Sequence, residues 1–470
     1  MNKFYITTAI DYVNDVIHVG HAFQKIAADI LARYYRIRLG EENVFFLTGT
    51  DEYGQKAEKA AAEANLTPKE YVQKISNQDK NQQDVLNISY NRFIETTDDD
   101  HTKVAQEIWH RVEVAGDIYL GEFSGLYCAG CEAYYNEGDL VGGHCQFHPN
   151  LEIQKITEKN FFFKWSSYQN FLIELLEKNP DFVFPESRRQ EMLNFAKRGI
   201  QDIPISRTSF KWGVPVLNQA DHVMYVWFDA LTNYLTGVGF LQDPEKFRKF
   251  WPADIHILGK DNVRWHALLW PAILKSAGLK LPKQILVNGF LSLNGQKISK
   301  SLGNIIRPSD WVKKYSADAV RYYLLRYTTL TEDSDISEEK LKIAYSADLA
   351  NGLGNLIARV AKLCEQNNIK ANPSSNVWCA DLEKYLAEFK FNEALNVIWE
   401  LIAQADKKIN QEKPWQLQGK KLQEVLEDLV KRIQAIVYNL QPFLPQTAEK
   451  ILKQFSGQIK SAPPLFPRLG

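Results

Sequence analysis

No run of 18 or more residues in this sequence is continuously apolar, which excludes a conventional membrane-spanning helix. The opening residues, Met1-Asn2-Lys3-Phe4-Tyr5-Ile6-Thr7-Thr8, lack the apolar core of a signal peptide, so a cytoplasmic location is the expectation. An excess of one charge is also missing. With 56 basic and 57 acidic side chains the formal net charge is −1, which gives no global mark of polyanion binding, although a local patch can still meet nucleic acid. Cysteine is scarce: five in 470 residues do not suggest a disulfide framework, and Cys364 and Cys379 read as ordinary buried or half-buried thiols. There is no G-x-x-x-x-G-K-[ST] loop and no convincing G-x-G-x-x-G, so the common kinase, NTPase and dehydrogenase motifs lack support. Internal repeats and low-complexity blocks are absent as well.

What is present is an ordinary globular balance, 45% hydrophobic and 24% charged, in a chain long enough for several domains. Residues 4–8 read as a strand, Ala22 to Arg38 as a helix with apolar residues at helical spacing, and Val44-Phe45-Phe46-Leu47 as a second strand. Strand, helix, strand with short connections implies a parallel sheet. Thr67-Pro68-Lys69-Glu70 spells a helix start with a capping box. From about 117 to 220 the texture turns aromatic and turn-rich, and reads as an insertion. The βα pattern resumes at Val223-Met224-Tyr225-Val226-Trp227-Phe228-Asp229, read as a strand, and continues with Ile255–Leu258, Gln284–Val287 and Phe290–Leu293, the last ending in an Asn294-Gly295 turn. Beyond about 340 the chain reads as helical, with Pro373-Ser374-Ser375 separating two helices and a last helix from about Lys421 to Asn439. The fold class is therefore α/β, a parallel-sheet domain interrupted by an insertion and followed by an all-α bundle.

Two short motifs could carry chemistry. His18-Val19-Gly20-His21 falls at a helix N-terminus, where unpaired amides and the positive dipole end favour an anion. Two imidazoles three residues apart can donate hydrogen bonds to a triphosphate, and Gly20 allows close backbone approach. Lys297-Ile298-Ser299-Lys300-Ser301 follows the Asn294-Gly295 turn as a basic loop able to close over pyrophosphate. Alone, each motif is equally compatible with a polar helix cap or a solvated turn. Cys128-Ala129-Gly130-Cys131, thirteen residues, then Cys145-Gln146-Phe147-His148 gives two knuckles whose four ligands suit one tetrahedral, structural Zn2+. His144 is an alternative ligand, disfavoured by its position directly before Cys145.

Together the two phosphate-side motifs resemble those of the class I aminoacyl-tRNA synthetases. Ala9-Ile10-Asp11-Tyr12-Val13-Asn14, Thr48-Gly49-Thr50-Asp51-Glu52-Tyr53-Gly54, Tyr225-Val226-Trp227-Phe228-Asp229-Ala230-Leu231 and Gly259-Lys260-Asp261-Asn262-Val263-Arg264-Trp265-His266 resemble the methionyl-tRNA synthetase family in particular. That resemblance runs from Phe4 to the C-terminal helices. It implies ATP and L-methionine as substrates, Mg2+ with the ATP, a structural Zn2+, tRNA(Met) as partner and a methionyl-adenylate intermediate. It makes His18, His21, Lys297 and Lys300 catalytic. ATP would be contacted by Gly20, Gly259, Asp261, Leu291, Ser299 and Ser301. Asp51 would hold the methionine ammonium group, and Ala9, Ile10, Tyr12, Trp227, Ala230, Leu231, Tyr234, Asn262, Trp265 and His266 would enclose the rest. Sulfur–aromatic contacts are worth about 0.3–1.5 kcal/mol each, so selectivity also needs shape and a hydrogen bond to sulfur, with Tyr12 and His266 as candidate donors.

The resemblance implies a Rossmann-like catalytic domain in two halves, 1–116 and 223–305, around a zinc-bearing connective insertion, 117–222, which is too short for the editing domains of the leucyl, isoleucyl and valyl relatives. A linking region would follow at 306–345 and an anticodon-binding helical domain at 346–470. Asn355, Arg359 and Trp415 would read the anticodon, since arginine hydrogen bonds and aromatic stacking are how single-stranded bases are held. A monomer is the expectation. The chain departs from the family's usual pattern at Ala9 or Asp11, where proline is common, and at Tyr53, where histidine is common. The competing readings are another class I synthetase, of cysteinyl or leucyl type, and a non-catalytic tRNA-binding relative.

Overall fold

A computed structural model describes residues 2–131, 133–135, 137–299, 302–371 and 377–469. Lys300 and Ser301 of the basic loop and the Pro373-Ser374-Ser375 separator lie outside the described residues. The chain forms two compact units, each built from three separate stretches: residues 1–17, 39–81 and 89–288 in one, and 18–38, 82–88 and 289–470 in the other. Among the described residues no helix is long and apolar enough to cross a membrane.

The first unit is organised on a parallel sheet. Its strands include β1 (Phe4–Thr8), β2 (Asp11–Tyr12), β3 (Val44–Asp51) and β4 (Arg92–Glu95). The next strands belong largely to the inserted stretch: β5 (Ile118–Cys128), β6 (Ala133–Tyr135), β7 (Gln154–Phe163), β8 (Val183–Phe184), β9 (Ile203–Pro204), β10 (Ser206–Arg207) and β11 (Val223–Met224). The main sheet is completed by β12 (Ile255–Gly259) and β13 (Ile285–Asn288), in the order β2-β3-β1-β12-β13-β8, with β4 also beside β3. Every pairing within it is parallel. Phe4–Thr8 and Val44–Asp51 are buried at every position, as strands covered on both faces are, and the threonines toward their ends are buried with the apolar residues. β5 pairs with β6 and β7, and β7 with β9, in a separate antiparallel sheet of four strands that carries the first two cysteines at its tip.

The order reverses at β1: β3 lies on one side of it and β12 on the other. In open α/β sheets ligands bind beyond the carboxyl ends of the strands at such a switch point. The residues found there are Ala9 after β1, Asp51 at the end of β3 and Gly259 at the end of β12. Three helices of this part of the chain matter below: α1 (Val19–Leu39), α2 (Gln55–Glu63) and α3 (Pro68–Asp84). The capping box at α3 forms as the sequence predicts. Thr67 donates its amide to Glu70 Oε2 at 2.9 Å, and Glu70 returns its own amide to Thr67 Oγ1 at 3.3 Å.

The second unit joins most of α1 to the C-terminal half of the chain. It includes a small sheet in which β14 (Leu291–Leu293) runs antiparallel to β15 (Gln296–Lys297) and parallel to Ser334–Ile336. Asn294 and Gly295 both take positive φ, 52° and 76°, the geometry that an Asn-Gly hairpin turn requires. Long amphipathic helices follow, among them Asn355–Gln366, Phe391–Glu412 and Gly419–Leu440. At the centre of the unit Arg321 is fully buried. It donates to the carbonyls of Leu86, Pro442 and Phe443 at 3.3, 3.0 and 2.9 Å, and its ion pair with Asp29 of α1 is 2.7 Å long.

Two expectations of secondary structure are corrected. Val223–Asp229 is not a strand: only Val223–Met224 is extended, pairing antiparallel with β10, and a short helix begins at Val226. The amides of Phe228 and Asp229 bond to the Tyr225 carbonyl, and packing of the aromatic side chains overrides their β-propensity. The helix ending near residue 439 is not the last. A further helix, Pro445–Gln454, follows with proline in its first turn, where its missing amide costs nothing.

Candidate functional site

The phosphate-side motif forms a helix start. The carbonyl of His18 accepts from the amides of His21 and Ala22, and α1 has no acidic residue in its first turn. Gly20 donates its amide to His18 Nδ1 at 3.0 Å, and His18 donates its own amide to His21 Nδ1 at 3.2 Å. A ring nitrogen that accepts a hydrogen bond carries no proton, so in both neutral rings the proton sits on Nε2. The ring centroids are 4.1 Å apart. A Cβ at position 20 would come within 2.8 Å of the His18 ring, so only glycine lets that ring fold back over the turn. Desolvation by the surrounding protein, with the charges of Lys25 and Arg307 adding to it, pulls His21 down to about 4, although the residue keeps an exposed surface. His21 is thus neutral near pH 7, a hydrogen-bond donor rather than a cation.

The basic loop belongs to the same unit. Lys297 is exposed and Ile298 buried. Asn304, which the sequence reading passed over, pins the loop: its amide group donates to the Lys297 carbonyl and its oxygen accepts from the Ser299 amide, both at 2.9 Å. The Val19 amide donates to the Ile306 carbonyl at 3.0 Å, fastening the segment after the loop to the start of α1. Leu291, the expected adenine neighbour, is buried in β14.

The expected methionine residues come together in the first unit. Ala9, Leu231, Tyr234 and Trp265 are part of one core cluster, with Ile10, Tyr12 and Trp227 packed against it. Ala230 is buried in the short helix that carries Trp227. Tyr12 lies opposite Asp51 in the β2–β3 register, and the Asp51 carboxyl-bearing residue is 8% exposed at the end of its strand. Trp227 stacks on Trp265 with centroids 4.9 Å apart and planes 18° apart. Trp227 Nε1 reaches the Cys131 carbonyl at 3.5 Å. Beyond Asp261, the helical turn widens over Trp265–Leu269 to a π-type spacing, a local irregularity common at functional sites.

His266 is corrected as a donor to sulfur. Its Nδ1 lies 3.0 Å from the Asn262 carbonyl and must carry the proton, leaving Nε2 to accept from the Tyr234 hydroxyl at 2.7 Å. Burial lowers its pKa to about 4, so protonation does not free a second donor near neutral pH. Tyr12 is the remaining candidate, and its oxygen accepts the Ala57 amide at 3.4 Å. At the two departures from the family's usual residues, Asp11 extends β2 opposite Thr50, and Tyr53 packs on Trp212 with centroids 5.2 Å apart.

Beside Asp51, Glu52 is a buried acid outside the expected site residues. It accepts from the Thr50 and Thr97 hydroxyls, yet burial, reinforced by the charge of Glu95, raises its pKa to about 7. Between the ordinary carboxyl value of 4.5 and about 7 the folded protein therefore holds a proton that the unfolded chain has released. Folding stability from this group falls as pH rises through that window. The Glu52→Gln variant escapes the penalty, so its melting temperature relative to wild type is expected to rise between pH 5 and pH 8, by the equivalent of up to about 3 kcal/mol. A difference that stays constant across that range in thermal melts would contradict this.

Cys128, Cys131, Cys145 and His148 form the one metal-ligating group found among the described residues, with all ligand atoms within 4.8 Å of one another. His148 presents Nδ1, 3.2 Å from Cys131 Sγ, and Cys131 Sγ is 3.4 Å from Cys145 Sγ. His144 is not in the group. Three thiols and one imidazole converging this closely fit a tetrahedral Zn2+ with no open position. The hydrogen bond with Cys131, with His148 adding, draws the Cys128 thiol below its ordinary value. Tyr135 also escaped the sequence reading: its hydroxyl lies 3.3 Å from Cys131 Sγ and 3.4 Å from Cys145 Sγ.

In the helical region Asn355 is exposed and Trp415 is 54% exposed, not a core residue. Arg359 pairs with Asp406 at 2.8 Å and donates to Asn410 at 3.1 Å, which holds its guanidinium on the surface of the Phe391–Glu412 helix.

A parallel sheet with a switch point at β1, a histidine-bearing helix start and a basic hairpin loop are consistent with the class I tRNA synthetases, and the family comparison shows that class. The family described as "tRNA synthetases class I (M)" matches residues 4–154 and 139–361. The chain is 41% identical to the methionine–tRNA ligase of Caldanaerobacter subterraneus over 96% of its own length and 73% of that protein, and 40% identical to that of Rhizobium meliloti over 96% and 91%. A solved Mycobacterium tuberculosis methionyl-tRNA synthetase in complex with methionyl-adenylate superposes with a TM-score of 0.91 at 37% identity, covering all of both chains. The chain belongs to the methionine–tRNA ligase family.

Proposed function

We infer that this protein activates L-methionine with ATP and transfers it to tRNA(Met). The observation that carries the inference is similarity to methionine–tRNA ligases along nearly the whole chain. ATP enters as its Mg2+ complex. A methionine carboxylate oxygen attacks the α-phosphorus, the bond from that phosphorus to the bridging oxygen breaks, and pyrophosphate leaves. A hydroxyl of the tRNA's terminal adenosine then attacks the adenylate carbonyl, loses its proton and displaces AMP.

No protein nucleophile is needed, so catalysis is positioning and charge stabilisation. Asp51 pairs with the ammonium group. Trp227 and Trp265 wall the side chain, and Tyr12 donates to sulfur. The Nε2–H groups of His18 and His21 meet the phosphate charge as it shifts toward the leaving group, with Lys297 and Lys300 countering the pyrophosphate. Gly20, Gly259, Asp261, Leu291, Ser299 and Ser301 complete the ATP site. Asn355, Arg359 and Trp415 meet the anticodon. The functional division proposed is catalytic halves at 1–116 and 223–305, the knuckle insertion at 117–222, a linking region at 306–345 and the anticodon domain at 346–470. The proposed setting is a cytoplasmic monomer.

Cys128, Cys131, Cys145 and His148 hold one Zn2+, which supplies a crosslink and takes no part in the reaction. Metal analysis of the purified protein is expected to return one zinc per chain, and Cys145→Ser is expected to lose it. The decisive test of function is amino-acid-dependent pyrophosphate exchange. Exchange stimulated by methionine, and not by leucine or cysteine, is expected; exchange indifferent to methionine would falsify the assignment.

A further inference from the structure

At the start of α2, Lys56 stands where helix electrostatics argues against it. A cation in the first turn opposes the dipole, and Gly54 at the N-cap has no side chain to take up the orphan amides. Two contacts account for both features. The Lys56 ammonium donates to the carbonyl of Gly130, between the first two knuckle cysteines, and lies 5.3 Å from the centroid of the Tyr12 ring. The next amide, that of Ala57, donates to the Tyr12 hydroxyl. One helical turn therefore holds Tyr12 by its ring and its oxygen, and is itself fastened to the knuckle.

The knuckle gives it a firm anchor. A Cβ at Gly130 would fall 2.4 Å from His148 Cγ, so the backbone there is packed directly on a ligand ring. The adjacent carbonyl, that of Cys131, accepts from Trp227. Two successive carbonyls of the knuckle thus each receive a donor from a side chain at the amino-acid pocket. Because the Tyr12 oxygen already accepts an amide proton, its own proton is directed elsewhere, and a cation at the ring withdraws electron density from it.

We propose that Lys56 is a positioning residue for the methionine pocket, bracing the Tyr12 ring against the Gly130 carbonyl so that the Tyr12 hydroxyl is held toward the thioether. This rests on the function proposed above. The contacts of Lys56 run to Gly130 and Tyr12, so its loss is expected in methionine affinity and not in ATP affinity or turnover.

The test compares Lys56→Met, which keeps length without charge or donors, with Lys56→Arg, which keeps both, and with Lys59→Met on the exposed side of the same helix. Methionine affinity is read by tryptophan-fluorescence titration without ATP, and the Michaelis constants by pyrophosphate exchange. Lys56→Met is expected to weaken methionine in both assays by about five- to tenfold, the scale of one hydrogen bond and one cation–π contact, with kcat and the ATP constant within about twofold. Lys56→Arg is expected to recover most of the loss, Lys59→Met to behave as wild type, and zinc content to stay at one per chain. Unchanged methionine constants in Lys56→Met overturn the proposal, as do equal losses for methionine and ATP, or lost zinc. Absent methionine-dependent exchange in the wild type would instead remove the functional assignment itself.

Discussion

Replacing Asp51 with asparagine is expected to lower kcat/KM for methionine in pyrophosphate exchange by about 10²–10³. The carboxylate lies at the carboxyl end of β3, beside the sheet's switch point, and is nearly closed off from water. An ammonium ion bound there has exchanged its hydration for that one charge, and removing one member of a buried ion pair costs about 3–5 kcal/mol. Asparagine keeps the shape and an acceptor oxygen, so the variant should fold and bind ATP with a constant within a few-fold of wild type. A loss below tenfold would mean that another group carries the ammonium ion.

For His21→Ala the expected result is a fall in kcat for exchange of about 10²–10³, the usual effect of deleting one preorganised donor to a developing charge. Methionine titrated without ATP should bind as it does to wild type, because His21 acts on phosphate. His21→Asn, which restores an N–H donor on a shorter side chain, should recover part of the rate. Since His21 is neutral well below pH 7, the rate should also show no His21 titration between pH 6 and 8. A kcat within tenfold of wild type in the alanine variant, or a methionine affinity that falls with it, would remove His21 from the phosphate site.

The parts of this structure that could be read from sequence are those decided by near neighbours. The capping box at Thr67 and Glu70, the Asn294-Gly295 hairpin and the buried strands β1 and β3 depend on short-range hydrogen bonds or on runs of β-forming residues, and all three formed as expected. The convergence of Cys128, Cys131, Cys145 and His148 was legible for the same reason, because knuckle spacing is itself the geometry. The failures have one cause in common. Whether Val226–Ala230 coils into a helix and why Lys56 sits in a helix's first turn are both settled by partners remote in sequence. Trp265, stacked on Trp227, bears on the first, and Gly130 with Tyr12 decide the second. The individual members of the methionine pocket were named through resemblance to a family, since as bare residues most of its aromatics read as core.

The buried Arg321 junction has a consequence for synthesis of the protein. Asp29, on the helix that begins at the His18-Val19-Gly20-His21 motif, is inaccessible to water and pairs both with Arg33, one turn on, and with Arg321, an arginine made far later in translation. That arginine in turn needs the carbonyls of Pro442 and Phe443. While the ribosome is still extending the chain, this helix therefore lacks one of the two arginines that meet Asp29, and its seat does not yet exist. Domains generally mature in order from the N-terminus, but here the earliest catalytic motif must wait for residues beyond 440. Nascent chains released before that point would hold an unassembled helix, leaving premature termination products inactive and open to proteolysis.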